Sequence, residues 1–477
     1  MPLIKSISGT RGTIGGQPGD NLTPVDIMDS VCGYGAFIRR EYPNQKIRII
    51  IGRDSRLSGE MVKDLVAGLL LSQGFDVIDI GIAASPTVEM AVLGQKAQGG
   101  IIITASHNPQ GWNALKLLNG QSEILSAAAG EIIRNLSDQD KFIFVPEDKL
   151  GVYIFNPFIA LDHIRAILDF PLVDVKAIAA KKFRIVLDGI NSAGGLIMPE
   201  LLTELGVSDV IKINCEPTGL FAHKPEPLAV NLTQICEKVK ETKADLGIVV
   251  DPDVDRLAFI DENGQMISEE YTIVSIADYV LENFSVIEAA YPGQYSKSTV
   301  SNLSSSRALA DAAKKRGGSY EPSAVGEINV VEKMKELKSA IGGEGSGGVI
   351  CSQLHYGRDA LIGVALFLSA LAKSGQKVSE FFKQFSQYHM VKDRIDLPAG
   401  VDVKKLLVRL RQDYEKNQTG VEITDIDGLK IDFPDSWVHL RASNTEPIIR
   451  IYVEAATQTV AEELNKESKA NILAYIK

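Results

Sequence analysis

Short apolar runs alternate with amphipathic stretches along most of the chain, and the alternation occurs three times in one order. The first passage places apolar residues 47–51 before a helix-period pattern near 60–71. Residues 76–80, a helix near 86–93 and the run 101–103 follow. The second passage reads 184–187, a helix near 198–205, 209–213, a helix near 232–240, and 246–250. The third is weaker: 298–300, a helix near 307–316, a segment around Tyr320, a helix near 330–337, and 340–342. Apolar runs of strand length separated by amphipathic helices predict βαβ units and largely parallel sheets. Beyond residue 378 the pattern changes. A helix near 378–385 precedes strands at 391–397, 428–433, 437–440 and 448–454, with helices at 404–414 and at the C-terminus. The expected fold is α/β: three topologically similar α/β domains with mixed, largely parallel sheets, plus a smaller C-terminal α+β domain. The divisions expected are 1–150, 151–257, 258–378 and 379–477.

Open parallel sheets bind ligands beyond the carboxyl ends of their strands, so the loop after each third strand is where chemistry belongs. The first such loop, 104–109, reads T-A-S-H-N-P. Ser106 there is expected to be exposed at the end of a buried strand, as a nucleophile or phosphoryl carrier. A helix N-cap is the bland alternative. The second loop, Asp251-Pro252-Asp253-Val254-Asp255-Arg256, sets three carboxylates two residues apart. Oxygen-only ligands suit a hard cation, Mg²⁺ before zinc or copper. A calcium-binding EF-hand is excluded, because Arg256 occupies the sixth position where that loop needs glycine and a strand-like run precedes it. The third loop, 342–348, is rich in glycine and offers Glu344 and Ser346 to ligand hydroxyls. In the tail, Arg441, Ser443, Asn444 and Thr445 combine a guanidinium with hydroxyls and an amide, a set that fits phosphate. A capped turn would use the same polar residues.

With 477 residues the chain is too long for one core. Its net charge of −11 argues against a broad nucleic-acid surface, so a phosphate ligand needs locally concentrated cations. Arg11, Lys116, Arg256, Arg441 and Arg450 lie in or near the loops named above. No apolar run approaches the roughly 18 residues that span a membrane. The N-terminal residues are too short and polar a stretch for a signal peptide. Four cysteines without metal-binding spacing fit reduced thiols and a cytoplasmic setting.

The four loops together, in this order and spacing, resemble the α-D-phosphohexomutase superfamily over essentially the whole chain. The resemblance implies Mg²⁺-dependent interconversion of a hexose 6-phosphate and a hexose 1-phosphate, through a phosphoserine enzyme and a sugar bisphosphate. It implies that Ser106 carries the phosphoryl group and joins Asp251, Asp253 and Asp255 around the metal. Glu344 and Ser346 would grip sugar hydroxyls, and Arg441, Ser443, Asn444 and Thr445 the non-reacting phosphate. Arg11 would be an active-site arginine, and His107 and Arg256 would flank the reacting phosphate. Lys116 would be a general base or a phosphate-binding cation; as a base it needs a lowered pKa, which nearby arginines are expected to supply. Gly348 stands where members often carry histidine, Ala114 where glycine is common, and Glu327 where many have aspartate. Those departures and Ala105 resemble the subgroup acting on glucosamine phosphate, whereas Asn444 resembles the mannose/glucose phosphate branch. A sensor that binds sugar phosphate without turnover, and a simple phosphatase, are the readings of other classes.

Overall fold

The computed structural model describes residues 3–6, 9–138, 142–398, 401–417, 420–442 and 448–476. Three of its four sheets repeat one plan. In the first, the parallel strands Asp76–Ile82, Arg48–Arg53 and Gly99–Ile103 lie side by side, and Trp112–Leu118 pairs antiparallel with the last. The second sheet sets Asp209–Ile213, Arg184–Asp188 and Leu246–Val250 in the same order, with Leu257–Ile260 antiparallel. In the third, Ser319–Ser323, Ser296–Asn302 and Ser339–Glu344 are followed by Gly348–Cys351 in the same role. Each functional loop therefore joins a buried parallel strand to an antiparallel neighbour, which anchors it at both ends.

Those antiparallel return strands are the main departure from the sequence reading. No helix begins at Ser106, so its N-cap reading fails: the chain turns and re-enters the sheet at Trp112. The first sheet also reaches beyond residue 150, because Tyr153–Phe155 pairs with Asp76–Ile82 at its edge. Likewise Leu257–Ile260 crosses the division expected at 257, since it closes the second sheet. The N-terminal strands Ile4–Ser6 and Gly9–Thr13 complete a seven-stranded first sheet and bring Arg11 beside Ala114. The fourth sheet is wholly antiparallel, with its strands running from His389–Asp396 through Ile448–Ala455 to Glu422–Thr424.

The apolar faces find partners unevenly. The first domain buries its sheet between two layers of its own, around Ile49 and Ile51 on one side and Ile50 and Ile102 on the other. A single apolar core runs from the second domain into the third, taking in Leu187, Ile248, Phe259, Ile341 and the buried helix Ala360–Ser374. The fourth domain has a separate core around Ile431, Val438 and Ile451. Among the described residues, no single helix is long and apolar enough to cross a membrane. The four cysteines are free.

Candidate active site

Ser106 sits in left-handed backbone, with φ of +47°, a conformation that non-glycine residues adopt rarely and mostly where surroundings enforce it. Arg56 is the enforcer. Its side chain is fully buried and donates to the carbonyls of Ser106 (2.6 Å), Asn108 (2.7 Å), Pro109 (2.7 Å) and Trp112 (2.9 Å). Its Nε pairs at 3.0 Å with Asp54, which also accepts from Thr104 Oγ1 at 2.7 Å. The loop is thus wrapped around one guanidinium, and Ser106 is only 6% exposed. The sequence reading expected an exposed serine; the acidic loop of the second domain covers it.

Ser106 Oγ donates to Asp251 Oδ2 at 2.8 Å. Asp251, Asp253 and Asp255 are buried together, each offering an oxygen within 4.8 Å of the others. Val254 between them has φ of +62°, unusual for a β-branched residue, so the loop holds a strained backbone to aim its carboxylates. Asp251 Oδ1 accepts from the amides of Asp255 and Arg256, both at 3.1 Å. Ser85 Oγ and Lys116 Nζ each donate to Asp253 Oδ2 at 2.7 Å, and Lys116 reaches Asp255 Oδ2 at 3.2 Å. Oδ1 of Asp253 and Oδ1 of Asp255 are buried without a hydrogen-bond partner. Two orphaned carboxylate oxygens beside a serine hydroxyl suit a hard divalent cation, and a buried pair of that kind is costly without one.

Burial, then its two acidic neighbours, raises the Asp251 carboxyl well above the usual range. Burial would do the same to Asp255, yet Arg358, Lys116 and Arg256 hold it below. Lys116 is the correction to the sequence reading. Burial disfavours its ammonium, but Asp253 and Asp255 outweigh burial and Arg358 alike, so its pKa is raised rather than lowered. His107, 3.3 Å from Ser106 Oγ through Nδ1, is pushed down to about 2 by burial and by Arg256. It is a neutral imidazole at physiological pH.

Two adjoining cavities meet at this point. One, about 540 Å³, is lined by Arg11, Ser106, His107, Lys116, Glu327 and Glu344. The other, about 360 Å³, is lined by His107, Arg256, Ser346, Arg441, Arg450 and Glu344. The two cavities share His107 and Glu344 and draw lining from all four domains, while Asp251, Asp253 and Asp255 line neither and lie buried behind Ser106 and Lys116. Ser443, Asn444 and Thr445 lie outside the described residues. Arg441 is on the strand Ser436–Ala442 and meets Asp427 at 3.4 Å.

The four sheets are matched in turn by the models of phosphoglucomutase/phosphomannomutase domains I (residues 4–143), II (161–264), III (269–388) and the C-terminal domain (397–470). The chain belongs to this family of phosphohexomutases. It is an isomerase. A phosphoglucomutase/phosphomannomutase from Thermococcus kodakarensis is 37% identical over 95% of this chain and 96% of its own. A probable phosphoglucosamine mutase from Pyrococcus abyssi is 33% identical over 90% and 91%. Among solved structures, a family protein from Burkholderia thailandensis superposes with a TM-score of 0.81 at 22% identity. That match covers 99% of this chain and 97% of the other, and it speaks to the fold alone.

Two residues that the sequence reading passed over are central to this phosphohexomutase. Arg56 shapes the serine loop, and nothing in its local sequence, a turn between strand and helix, distinguishes it. Arg358 stands between the acidic and glycine-rich loops, donating to Asp255 Oδ2 and Glu344 Oε2, both at 2.7 Å. A signal for it did exist: Gly357-Arg358-Asp359 sets two charges immediately before the apolar helix Ala360–Ser374. Charges placed there need buried partners.

Proposed function

We propose that the chain interconverts glucosamine 6-phosphate and glucosamine 1-phosphate by way of a phosphoserine at Ser106 and a bisphosphorylated sugar. The observation that carries this reading is the Ser106 hydroxyl on Asp251, where a cavity bordered by Lys116 joins one bordered by Arg441 and Arg450. A carrier serine at one end and cations at the other fit a sugar with a phosphate at each end. In the forward step the bond from phosphorus to Ser106 Oγ breaks as the bond to the sugar hydroxyl oxygen forms, and the hydroxyl's proton ends on Ser106 Oγ. The bisphosphate then turns over, and its other phosphate returns to Ser106.

Asp251, Asp253 and Asp255, with an oxygen on Ser106, would hold Mg²⁺. Once bound, the ion would offset phosphoryl charge and charge developing on the serine oxygen. The protein's own groups do the rest by positioning and charge neutralisation. Arg11 and Arg256 face the transferred phosphoryl group, with neutral His107 beside Ser106 Oγ. Lys116, which reaches Asp253 and Asp255 and borders the cavity beside Ser106, serves as general base or as phosphate-binding cation. Glu344 and Ser346 accept and donate to sugar hydroxyls. Arg441, with Ser443, Asn444 and Thr445 following it in the sequence, receives the non-reacting phosphate. Acidic side chains border the cleft, among them Glu226, Glu327 and Glu344, and complement an ammonium at C2 of the sugar. The Pyrococcus relative named for glucosamine supports this choice. The Thermococcus relative named for glucose and mannose phosphates supports the second reading, a phosphoglucomutase/phosphomannomutase. A cytoplasmic setting fits the free thiols.

The test is kcat/KM for glucosamine 6-phosphate against mannose 1-phosphate and glucose 1-phosphate, with Mg²⁺ and a priming bisphosphate. Preference for the amino sugar is the expected result. Preference for either neutral sugar gives the second reading. Binding without turnover of all three, and no phosphate on Ser106, would make the protein a sensor.

A further inference from the structure

Arg358 is unusually well prepared for a residue at a loop end. Its backbone N–H donates to Glu327 Oε1 at 2.9 Å. The residues around it are pinned by buried charges. Asp359 accepts from His163 at 3.0 Å and caps the helix behind it through the amide of Leu361 at 2.8 Å. His355 lies 2.9 Å from Glu89, whose carboxylate also packs against Gly357 so closely that a Cβ there would sit 1.7 Å from it. From that fixed base the guanidinium forks, Nη1 to Glu344 and Nη2 to Asp255. Asn302 Nδ2 donates to the other Glu344 oxygen at 2.8 Å, so each oxygen of that carboxylate has its own donor.

Gly348 makes the passage for this side chain. Gly347 needs to be glycine for its backbone, at φ of +88°, but Gly348 lies in the strand Gly348–Cys351 with no such requirement. A Cβ at 348 would instead fall 2.4 Å from Cδ and 3.0 Å from Cγ of Arg358. Arg358 cannot step aside without releasing both carboxylates.

We propose that Arg358 is a positioning residue for the mutase reaction: its fork sets Glu344 against the sugar and ties it to the acidic loop, and residue 348 is glycine to admit it. The role rests on the mutase reading, because it acts through the carboxylate assigned to sugar hydroxyls. Lysine keeps the charge but lacks the planar fork that gives Glu344 and Asp255 a separate nitrogen each.

The experiment is calorimetric titration of the dephosphorylated enzyme with glucosamine 6-phosphate, glucose 1-phosphate and the 3-deoxy and 4-deoxy glucose 1-phosphates, alongside melting temperatures. Arg358→Lys is expected to weaken the parent sugars by about tenfold, the scale of one charge-assisted bond. It should also erase discrimination against the deoxy sugars, which a merely structural residue would leave intact. Gly348→Ala should lower affinity and melting temperature in the wild type and do neither in an Arg358→Ala background. Wild-type affinity and discrimination in a folded Arg358→Lys variant would overturn the role. Losses that multiply between Gly348→Ala and Arg358→Ala would overturn the link between the two positions. If the wild type binds none of these sugars, the mutase reading falls and the positioning role with it, while the melting temperatures still decide the 348–358 link.

Discussion

Replacing Arg56 by methionine keeps much of the stem volume and removes every donor on which the serine loop is wound. Four carbonyl contacts of 2.6–2.9 Å and the pair with Asp54 disappear together. Hydrogen bonds to charged groups contribute ~1.5–3 kcal/mol each, so a simple sum exceeds ~6 kcal/mol. Two responses reduce it: water enters to reach the carbonyls, and Asp54, already pushed up by burial, takes a proton. The expected loss is therefore ~3–5 kcal/mol, the range for removing one partner of a buried pair. Asp54 also gives the loss a pH dependence. A carboxyl whose folded pKa is raised contributes stability as the pH falls, so the penalty shrinks in acid. The two tryptophans allow a local measurement. In a Trp437→Phe background Trp112 is the remaining indole, and its own carbonyl is bound by Arg56. Urea unfolding followed by its fluorescence reads the first domain, and phosphopeptide mass spectrometry reads phosphate on Ser106. A variant that loses less than ~1 kcal/mol and carries full phosphoserine would refute the idea that this guanidinium shapes the loop.

His439 is buried beside the third domain, 2.9 Å from Ser304 Oγ, and burial pushes it down to about 4. Its contribution is present above its ordinary value of 6.5 and is lost as pH falls to about 4, at ~1.36 kcal/mol per unit, roughly 3 kcal/mol in all. Acid unfolding of the fourth domain should be flatter in His439→Gln; an unchanged pH profile would contradict the assignment. His355 runs the opposite way. Burial opposes its charge, but Asp359 and Glu89 raise it to about 10, so its contribution is present below its ordinary value and fades as pH rises through about 10. The melting-temperature gap between wild type and His355→Gln should narrow over that range, and a constant gap would rule out the ion pairs as its source. Chelation of divalent cations should abolish turnover while moving the melting temperature by only a few degrees, because Lys116 and Arg358 already balance the acidic loop. A large drop on chelation would show that the loop depends on the ion for its fold.

The parallel strands were legible because a strand buried on both faces reads as an unbroken apolar run, as Leu246–Val250 does. The return strands were not: Gly348–Cys351 is four residues long and follows a glycine run that carries no periodicity. Candidate chemistry could be named where one segment supplied the polar groups, as with the three aspartates, and the structure sets Ser106 against one of them. Arg358 and Arg56 escaped notice because their meaning lies in partners distant in sequence. Asp255 is 103 residues from Arg358, and the carbonyls that Arg56 binds begin 50 residues away. Lys116 was picked out by the family resemblance, yet its charge state depends on Asp253, 137 residues on.

The apolar core shared by the second and third domains means that units of sequence and units of cooperativity differ in this chain. Neither domain can lose its sheet without exposing the other's buried face, so the two melt as one. The fourth domain, with a core of its own, is free to unfold alone. Calorimetry of the whole chain should then resolve fewer transitions than the three repeats and tail suggest. A fragment cut between the second and third domains would expose a face rich in leucine, isoleucine and phenylalanine and would precipitate where the intact chain stays in solution.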